Sequence, residues 1–296
     1  MRVFVTGASG FIGTVVIKEL IEAGHNVLGM VRSDAGAGIV KNLGAEVHRG
    51  SLEDLESLKS GVATTDGVIH LAFNHDFSKF AENCATEARA VETIGEALVG
   101  TKKPFVVTSG LAMIAPGRKA TEEDPAPSSK MFPRASETTA NSFLSKGVNV
   151  SIVRLPQVHD QYKQGLVTFL IEVAQQKGVI AYVGEGQNRW PACHKTDAAR
   201  VYRLALEKGK AGRNYHAVAE EGVPLRKIAE TLGKRMNLPV VSKTQEEAQE
   251  FYGFLGLFAS MDCLASSAIT QKELGWHPTG TDLISDLQNL KLAEKV

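Results

Sequence analysis

Residues Thr6-Gly7-Ala8-Ser9-Gly10-Phe11-Ile12-Gly13 lie between a short β-branched run, Val3 to Val5, and a segment from Phe11 to Ala23. In that segment Ile12, Val15, Val16, Leu20 and Ala23 recur every three or four positions. A Gly-x-x-Gly-x-x-Gly pattern is weak alone. Placed where a strand ends and an amphipathic helix opens, it restricts this part of the chain to a strand-turn-helix unit built to hold a phosphate. Gly7 permits the tight turn, Gly10 lets the backbone approach a pyrophosphate, and Gly13 lets the helix pack close to the strand. Ser9, Phe11 and Ile12 complete the candidate dinucleotide loop. The first helical N–H groups add a partial positive charge.

The strand-helix alternation continues beyond this unit. Apolar runs at Asn26 to Val31, Glu46 to His48, Gly67 to Leu71, Phe105 to Thr108 and Ser151 to Arg154 are separated by segments with helical spacing, such as Glu82 to Leu98 and Ser136 to Leu144. Parallel strands joined by right-handed helical crossovers give an α/β class fold, a Rossmann doubly wound parallel sheet. After about residue 155 the rhythm loosens. Helices are expected near 164–177, 197–207, 225–236 and 246–258, with strands only near 180–183 and 214–217. We therefore expect a dinucleotide-binding domain over 1–155 and a smaller substrate-binding lobe over 156–296, with 192–217 returning to the sheet. The four prolines between Pro116 and Pro133 predict a long surface loop.

Composition narrows the function. Thirty-three basic residues balance 33 acidic ones, so the chain lacks the charge footprint of a nucleic-acid or anionic-membrane binder. No apolar run reaches the roughly 18 residues of a membrane span. Cys84, Cys193 and Cys263 are far apart and read as reduced thiols, which places the expected compartment in the cytoplasm. No Cys or His spacing predicts a metal site.

The second strand ends in Val31-Arg32-Ser33, 25 positions beyond Gly7, where an NAD site usually places a carboxylate on the ribose. A guanidinium there grips a 2′-phosphate bidentately and Ser33 adds a donor, so NADP(H) is the expected cofactor. Asp34 weakens that preference if it faces the ribose, and a plain solvated Arg32 is the alternative.

With these motifs the chain resembles the short-chain dehydrogenase/reductase superfamily, in its extended and atypical branches, and within them a fungal-type NADPH-dependent reductase group. The likeness runs through Val68-Ile69-His70-Leu71-Ala72, Phe105-Val106-Val107-Thr108-Ser109, Val153-Arg154-Leu155-Pro156, His194-Lys195-Thr196-Asp197 and Leu274-Gly275-Trp276-His277-Pro278. The resemblance implies that Ser51 and Leu52 flank the adenine. It also implies that Leu71, Ala72 and Phe73 line the path to the nicotinamide, and that Pro156 to Val158 lie near the carboxamide. Homodimers are frequent in the superfamily, although no interface is legible here.

The superfamily's Tyr-x-x-x-Lys pair is missing. No tyrosine precedes Tyr162, and Tyr162, Tyr182, Tyr202, Tyr215 and Tyr252 are followed four positions on by Leu, Gly, Leu, Ala and Gly. The segment that should carry the pair reads Lys130-Met131-Phe132-Pro133-Arg134-Ala135-Ser136-Glu137, and Gly110 aligns with the usual catalytic hydroxyl. Three residues remain as catalytic candidates. Ser109 would orient a carbonyl, His75 would give a proton directly or through water, and Arg134 would stand in for the lysine on the ribose. Each has a bland alternative: a loop histidine for His75, an ordinary helix-start arginine for Arg134. Glu87 stands near where the superfamily often has an Asn and reads equally as a structural acid. The apolar patch Phe251, Phe254, Leu255, Leu257 and Phe258 reads as core, with a pocket wall as the alternative.

The expected function is an NADPH-dependent reduction of a small-molecule ketone or aldehyde with an apolar body. A noncatalytic NADP sensor is the alternative from another class. A sugar-nucleotide epimerase or dehydratase is the third, disfavoured because those reactions use the missing tyrosine as base.

Overall fold

A computed structural model of the protein describes residues 1–127 and 133–292. Strands β1 (Arg2–Thr6), β2 (Asn26–Val31), β3 (Glu46–Arg49), β4 (Gly67–His70), β5 (Pro104–Gly110), β6 (Asn149–Leu155) and β10 (Arg213–His216) form one parallel sheet in the order β10-β6-β5-β4-β1-β2-β3. The period-two alternation of the strands sorts their side chains. Val3, Val5, Ile69, Val106 and Val153 meet helices α1 (Gly13–Glu22) and α7 (Lys195–Lys208) on one face. Phe4, Val68, Phe105, Val107 and Ile152 meet α3 (Leu55–Ala63) and α4 (Phe80–Leu98) on the other. This is the doubly wound α/β fold. Chain order reverses between β1 and β4, and such sheets bind ligands in the crevice beyond the carboxyl ends at that point.

That crevice is held by hydrogen bonds as well as by packing. Thr6 Oγ1 accepts the N–H groups of Leu71 and Ala72 at 3.2 Å each, so its own proton goes to His70 Nδ1 at 3.0 Å. The ring proton of His70 then sits on Nε2, which is buried and meets no partner among the described residues. Burial, reinforced by the Arg134 charge, lowers the His70 pKa to about 3 and keeps the ring neutral.

A second core gathers around α6 (Leu166–Lys177), β8 (Ile180–Val183), α8 (Leu225–Met236), β12 (Val240–Lys243), α9 (Gln245–Tyr252), α10 (Leu255–Ala259) and α12 (Leu283–Gln288). Between the two cores, β11 (Glu220–Pro224), β9 (Arg189–His194) and β7 (Gln157–His159) make a small sheet absent from the sequence expectation. Its strands are short, and Pro191 argues against a strand at β9. Opposite Pro191, between the Glu220–Ala192 and Val223–Trp190 pairs, the β11–β9 register shifts.

Three other expectations need correction. The helix expected over 246–258 is two helices, broken at Gly253, whose φ of +58° no interior helical residue adopts. The helix expected from Ser136 to Leu144 stops at Asn141 as α5 (Ser136–Asn141). The Pro-rich segment is a loop but not wholly a surface one. Ala120, Glu122 and Asp124 are buried, because Glu122 takes both the N–H and hydroxyl of Thr270 at 2.8 Å and Asp124 pairs with Arg118. Lys130, Met131 and Phe132 lie outside the described residues. Among the described residues no helix is long and apolar enough to cross a membrane.

Candidate active site

The glycine loop fits a dinucleotide phosphate on its own geometry. Gly7 has φ +68°, and a Cβ there would lie 2.9 Å from the Ala72 nitrogen, while a Cβ on Gly13 would lie 2.1 Å from the Gly7 oxygen. The turn is therefore lined by bare backbone at the mouth of α1, as phosphate binding requires. Gly10 is exposed, and Ser9, Phe11 and Ile12 are half-buried around it.

The tip of β2 meets this loop. A methyl group placed on Gly36 would touch Ser9 Oγ at 3.1 Å and Ser33 Oγ at 3.4 Å, so the two hydroxyls face one small volume. Ser33 Oγ accepts the Gly36 N–H and caps α2 (Asp34–Asn42), leaving its own proton to donate. Arg32 is exposed and pairs with none of the described residues, whereas the Asp34 carboxylate turns to Arg49 at the end of β3. Ser51 accepts the N–H groups of Glu53 and Asp54 at 3.2 Å, and Leu52 packs half-buried against the α3 side of the sheet.

At the carboxyl ends of β4 and β5, Arg134 is the hub. Its guanidinium donates from Nε to Glu87 Oε2 at 2.9 Å and from Nη2 to Glu87 Oε1 at 2.6 Å, and lies 4.6 Å from the Phe73 ring centre. Nη2 also reaches the Thr108 carbonyl at 3.4 Å. Arg134 thus ties Phe73 to the β5 end, but two of its three nitrogens are already committed. Only Nη1 is left for a ribose, a narrower role than replacement of a lysine. Glu87 is buried and structural.

Ser109 is buried at the end of β5, and its hydroxyl has no partner among the described residues. The neighbouring Thr108 is fully engaged, donating to the His70 carbonyl at 2.6 Å and bonding Tyr202 Oη at 2.8 Å. Tyr202 is buried, burial pushes its phenol well above the usual range, and its proton is committed to Thr108, whose own proton goes to the His70 carbonyl. His75 is exposed in the loop after β4, edge-on to Phe73 at 5.3 Å. Desolvation and the Arg134 and Lys163 charges hold it below the ordinary histidine value. Leu71, Ala72 and Pro156 are half-buried at the strand ends. Val158 is only 4% exposed and packs into the first core, so it can face a ligand only through its backbone.

Aromatic rings continue the mouth outward. Phe77 meets Phe169 at 5.3 Å and stacks on Phe254 at 5.5 Å, and Phe80 lies 6.2 Å from Phe73. Of the patch read as core, Phe258 is buried as expected, but Phe254 is 45% exposed and belongs to this mouth.

The approach of two lysines to the glycine loop was invisible in the sequence. Lys163, in the loop after β7, and Lys195, the first residue of α7, reach the Phe11 ring from more than 150 positions away, and although Lys195 lies in a motif of the family resemblance, no local pattern signals this contact. A buried pair, Arg154 with Glu137, lies beneath α5, with Arg154 also donating to the Asp124 carbonyl at 2.7 Å. All three thiols are free and shifted upward by burial, Cys84 and Cys263 to about 11, so none is a ready nucleophile.

Residues 3–219 match the model of the NAD dependent epimerase/dehydratase family. An uncharacterized protein of Schizosaccharomyces pombe is 50% identical over 97% of this chain and 98% of its own, and one of Saccharomyces cerevisiae is 43% identical over 97% and 98%. A 2-alkyl-3-oxoalkanoate reductase of Stenotrophomonas maltophilia is more distant, 27% identical over 82% of this chain and 78% of its own. Among solved structures, a dTDP-glucose 4,6-dehydratase of Streptomyces venezuelae superposes with a TM-score of 0.75 at 20% identity, covering 97% and 95%. At that identity the match speaks for the fold.

Proposed function

The chain belongs to the NAD dependent epimerase/dehydratase family, and from that membership we propose that it is an NADPH-dependent reductase of ketones or aldehydes with an apolar body. The observation that carries this reading is at the tip of β2. Arg32 is exposed there and pairs with none of the described residues, while Asp34, two positions on, is turned to Arg49. A guanidinium in that place favours a 2′-phosphate, and Ser33 and Ser9 supply hydroxyl donors.

A bound nicotinamide supplies the hydride. The chain's own part is to hold a carbonyl close and meet the charge that develops on its oxygen. Ser109 has an uncommitted hydroxyl at the end of β5 and is the candidate donor to that oxygen. His75 is the candidate proton source, and its lowered pKa makes it a better acid below neutrality than at it. The half-exposed rings of Phe73, Phe77, Phe80 and Phe169, with Phe254, suit an apolar substrate body. The free thiols suit the reducing cytoplasm.

One observation favours a second reading, that of a noncatalytic NADP sensor: Arg134 is spent on Glu87, and no Tyr-x-x-x-Lys pair occurs. The deciding experiment mixes purified protein with NADPH and a panel of activated ketones plus a sugar nucleotide, following reduced-nicotinamide absorbance and products. Ketone-dependent oxidation supports the reductase. Tight NADPH binding with no turnover supports the sensor, and sugar-nucleotide conversion supports an epimerase or dehydratase.

A further inference from the structure

The candidate site accounts for the glycine loop and the β2 tip but leaves two cations unexplained. Lys163 lies in the connection from β7 to α6, and Lys195 opens α7. Both converge on one ring of the glycine loop: the Lys195 ammonium is 5.4 Å and the Lys163 ammonium 6.0 Å from the centre of Phe11. Phe11 follows Gly10 directly, so both charges stand beside the exposed turn.

Their local surroundings differ. Lys195 is held by Asp160, whose other oxygen takes the backbone N–H groups of Tyr162 at 2.7 Å and Lys163 at 2.8 Å. Burial alone would raise the Asp160 carboxyl, but Lys195 and these N–H groups outweigh it and keep the group ionised. A single buried acid therefore anchors both the Lys195 side chain and the turn that carries Lys163. Lys163 itself is exposed and meets no carboxylate among the described residues, and its charge is felt at His75 across the mouth. The Lys195 ammonium is paired with Asp160 and the Lys163 ammonium is not, leaving one uncompensated positive charge beside backbone already shaped for phosphate.

We infer that Lys163, its turn held by Asp160 and backed by Lys195, clamps the diphosphate of the bound nicotinamide dinucleotide from its place over Phe11, beside the glycine loop. The assignment rests on the proposed cofactor reading and deepens it. The loop and α1 grip the diphosphate through backbone, whereas Lys163 brings a side-chain charge from the chain segment that leads into the second core. Binding would then tie that segment to the sheet. An ammonium on a phosphate oxygen is a charge-assisted contact, so its loss weakens binding by about tenfold.

The test is calorimetry with two probes, NADPH and adenosine 2′-monophosphate; the second offers the 2′-phosphate but no diphosphate. Lys163→Gln is an exposed change that should leave the fold intact. The expected result is about tenfold weaker NADPH binding, with adenosine 2′-monophosphate affinity within about twofold of wild type. Lys163→Arg should restore most of the loss. Lys163→Gln that binds NADPH as wild type does overturns the clamp, as does an equal loss for both probes. Wild-type protein that takes up neither NADPH nor NADH overturns the cofactor reading, and the clamp with it.

Discussion

Arg134 and Glu87 form a two-point ion pair, at 2.9 Å and 2.6 Å, in which the carboxylate is only 1% exposed. A pair this deep is held by mutual compensation, since either charge left alone would stay desolvated without a partner. Glu87→Gln should lower unfolding free energy by about 3 kcal/mol in urea titrations. The double change Glu87→Leu with Arg134→Met should recover most of it. A double variant as unstable as the single one would show that the pair contributes through something other than its two charges.

At the β2 tip, Arg32→Ala should lower the preference for NADPH over NADH by ten- to a hundredfold, the range expected for one charged contact to phosphate. Asp34→Ala should leave the ratio within about twofold, because that carboxylate is 97% exposed and turned toward Arg49. Competitive turnover or calorimetry with both coenzymes gives the ratio.

Two glycines near each other in sequence should respond oppositely. Gly13→Ala puts a methyl group 2.1 Å from the Gly7 oxygen, whereas Gly38→Ala in α2 meets nothing within 4 Å. The first should cost about 2 kcal/mol and most of the coenzyme affinity. The second should stabilise by about 0.5 kcal/mol, since alanine outranks glycine in a helix. Thermal melts with and without NADPH separate the two effects.

His70 makes stability fall on acidification. Its pKa is about 3 in the fold against 6.5 in the unfolded chain, so the unfolded state binds the extra proton between those values. The stabilisation is complete above about pH 6.5 and shrinks by about 1.4 kcal/mol per pH unit as pH falls toward 3. His70→Leu should flatten that slope by about this amount in urea unfolding at pH 6, 5 and 4. His216, lowered to about 4 by burial, adds a similar dependence in the same range.

If His75 gives the proton, its lowered pKa puts the active imidazolium on the acid side. Turnover should rise as pH falls from 8 toward 5.5, while His75→Gln should be slower and flat across the range. Equal pH profiles for the two proteins would remove His75 from the chemistry. Ser109→Ala should reduce kcat by about a hundredfold with coenzyme affinity unchanged, the cost of one donor to a developing oxyanion.

The sheet and the phosphate loop were legible because both are written locally. Alternating β-branched strands, a helix with three- and four-residue spacing, and glycines at Gly7, Gly10 and Gly13 each carry their reason in neighbouring residues. The place of Arg32 at the tip of β2 was legible for the same reason, but its lack of a partner among the described residues and the direction of Asp34 were not. The latter depends on Arg49, which only strand pairing between β2 and β3 brings within reach.

The mouth was written non-locally. Glu87 looked like one acid on a helix until folding set it against Arg134, 47 positions on. Phe254 looked like core until a left-handed break at Gly253 turned it out to stack on Phe77. Lys163 and Lys195 meet Phe11 only because the fold brings the turn after β7 and the start of α7 against the glycine loop. Periodicity and loop glycines thus determined the class of fold and the turn of bare backbone at the mouth of α1. Which charges are neutralised, and which stay free to act, was decided by tertiary contacts, because a charge's chemistry depends on partners and burial that lie far away along the chain.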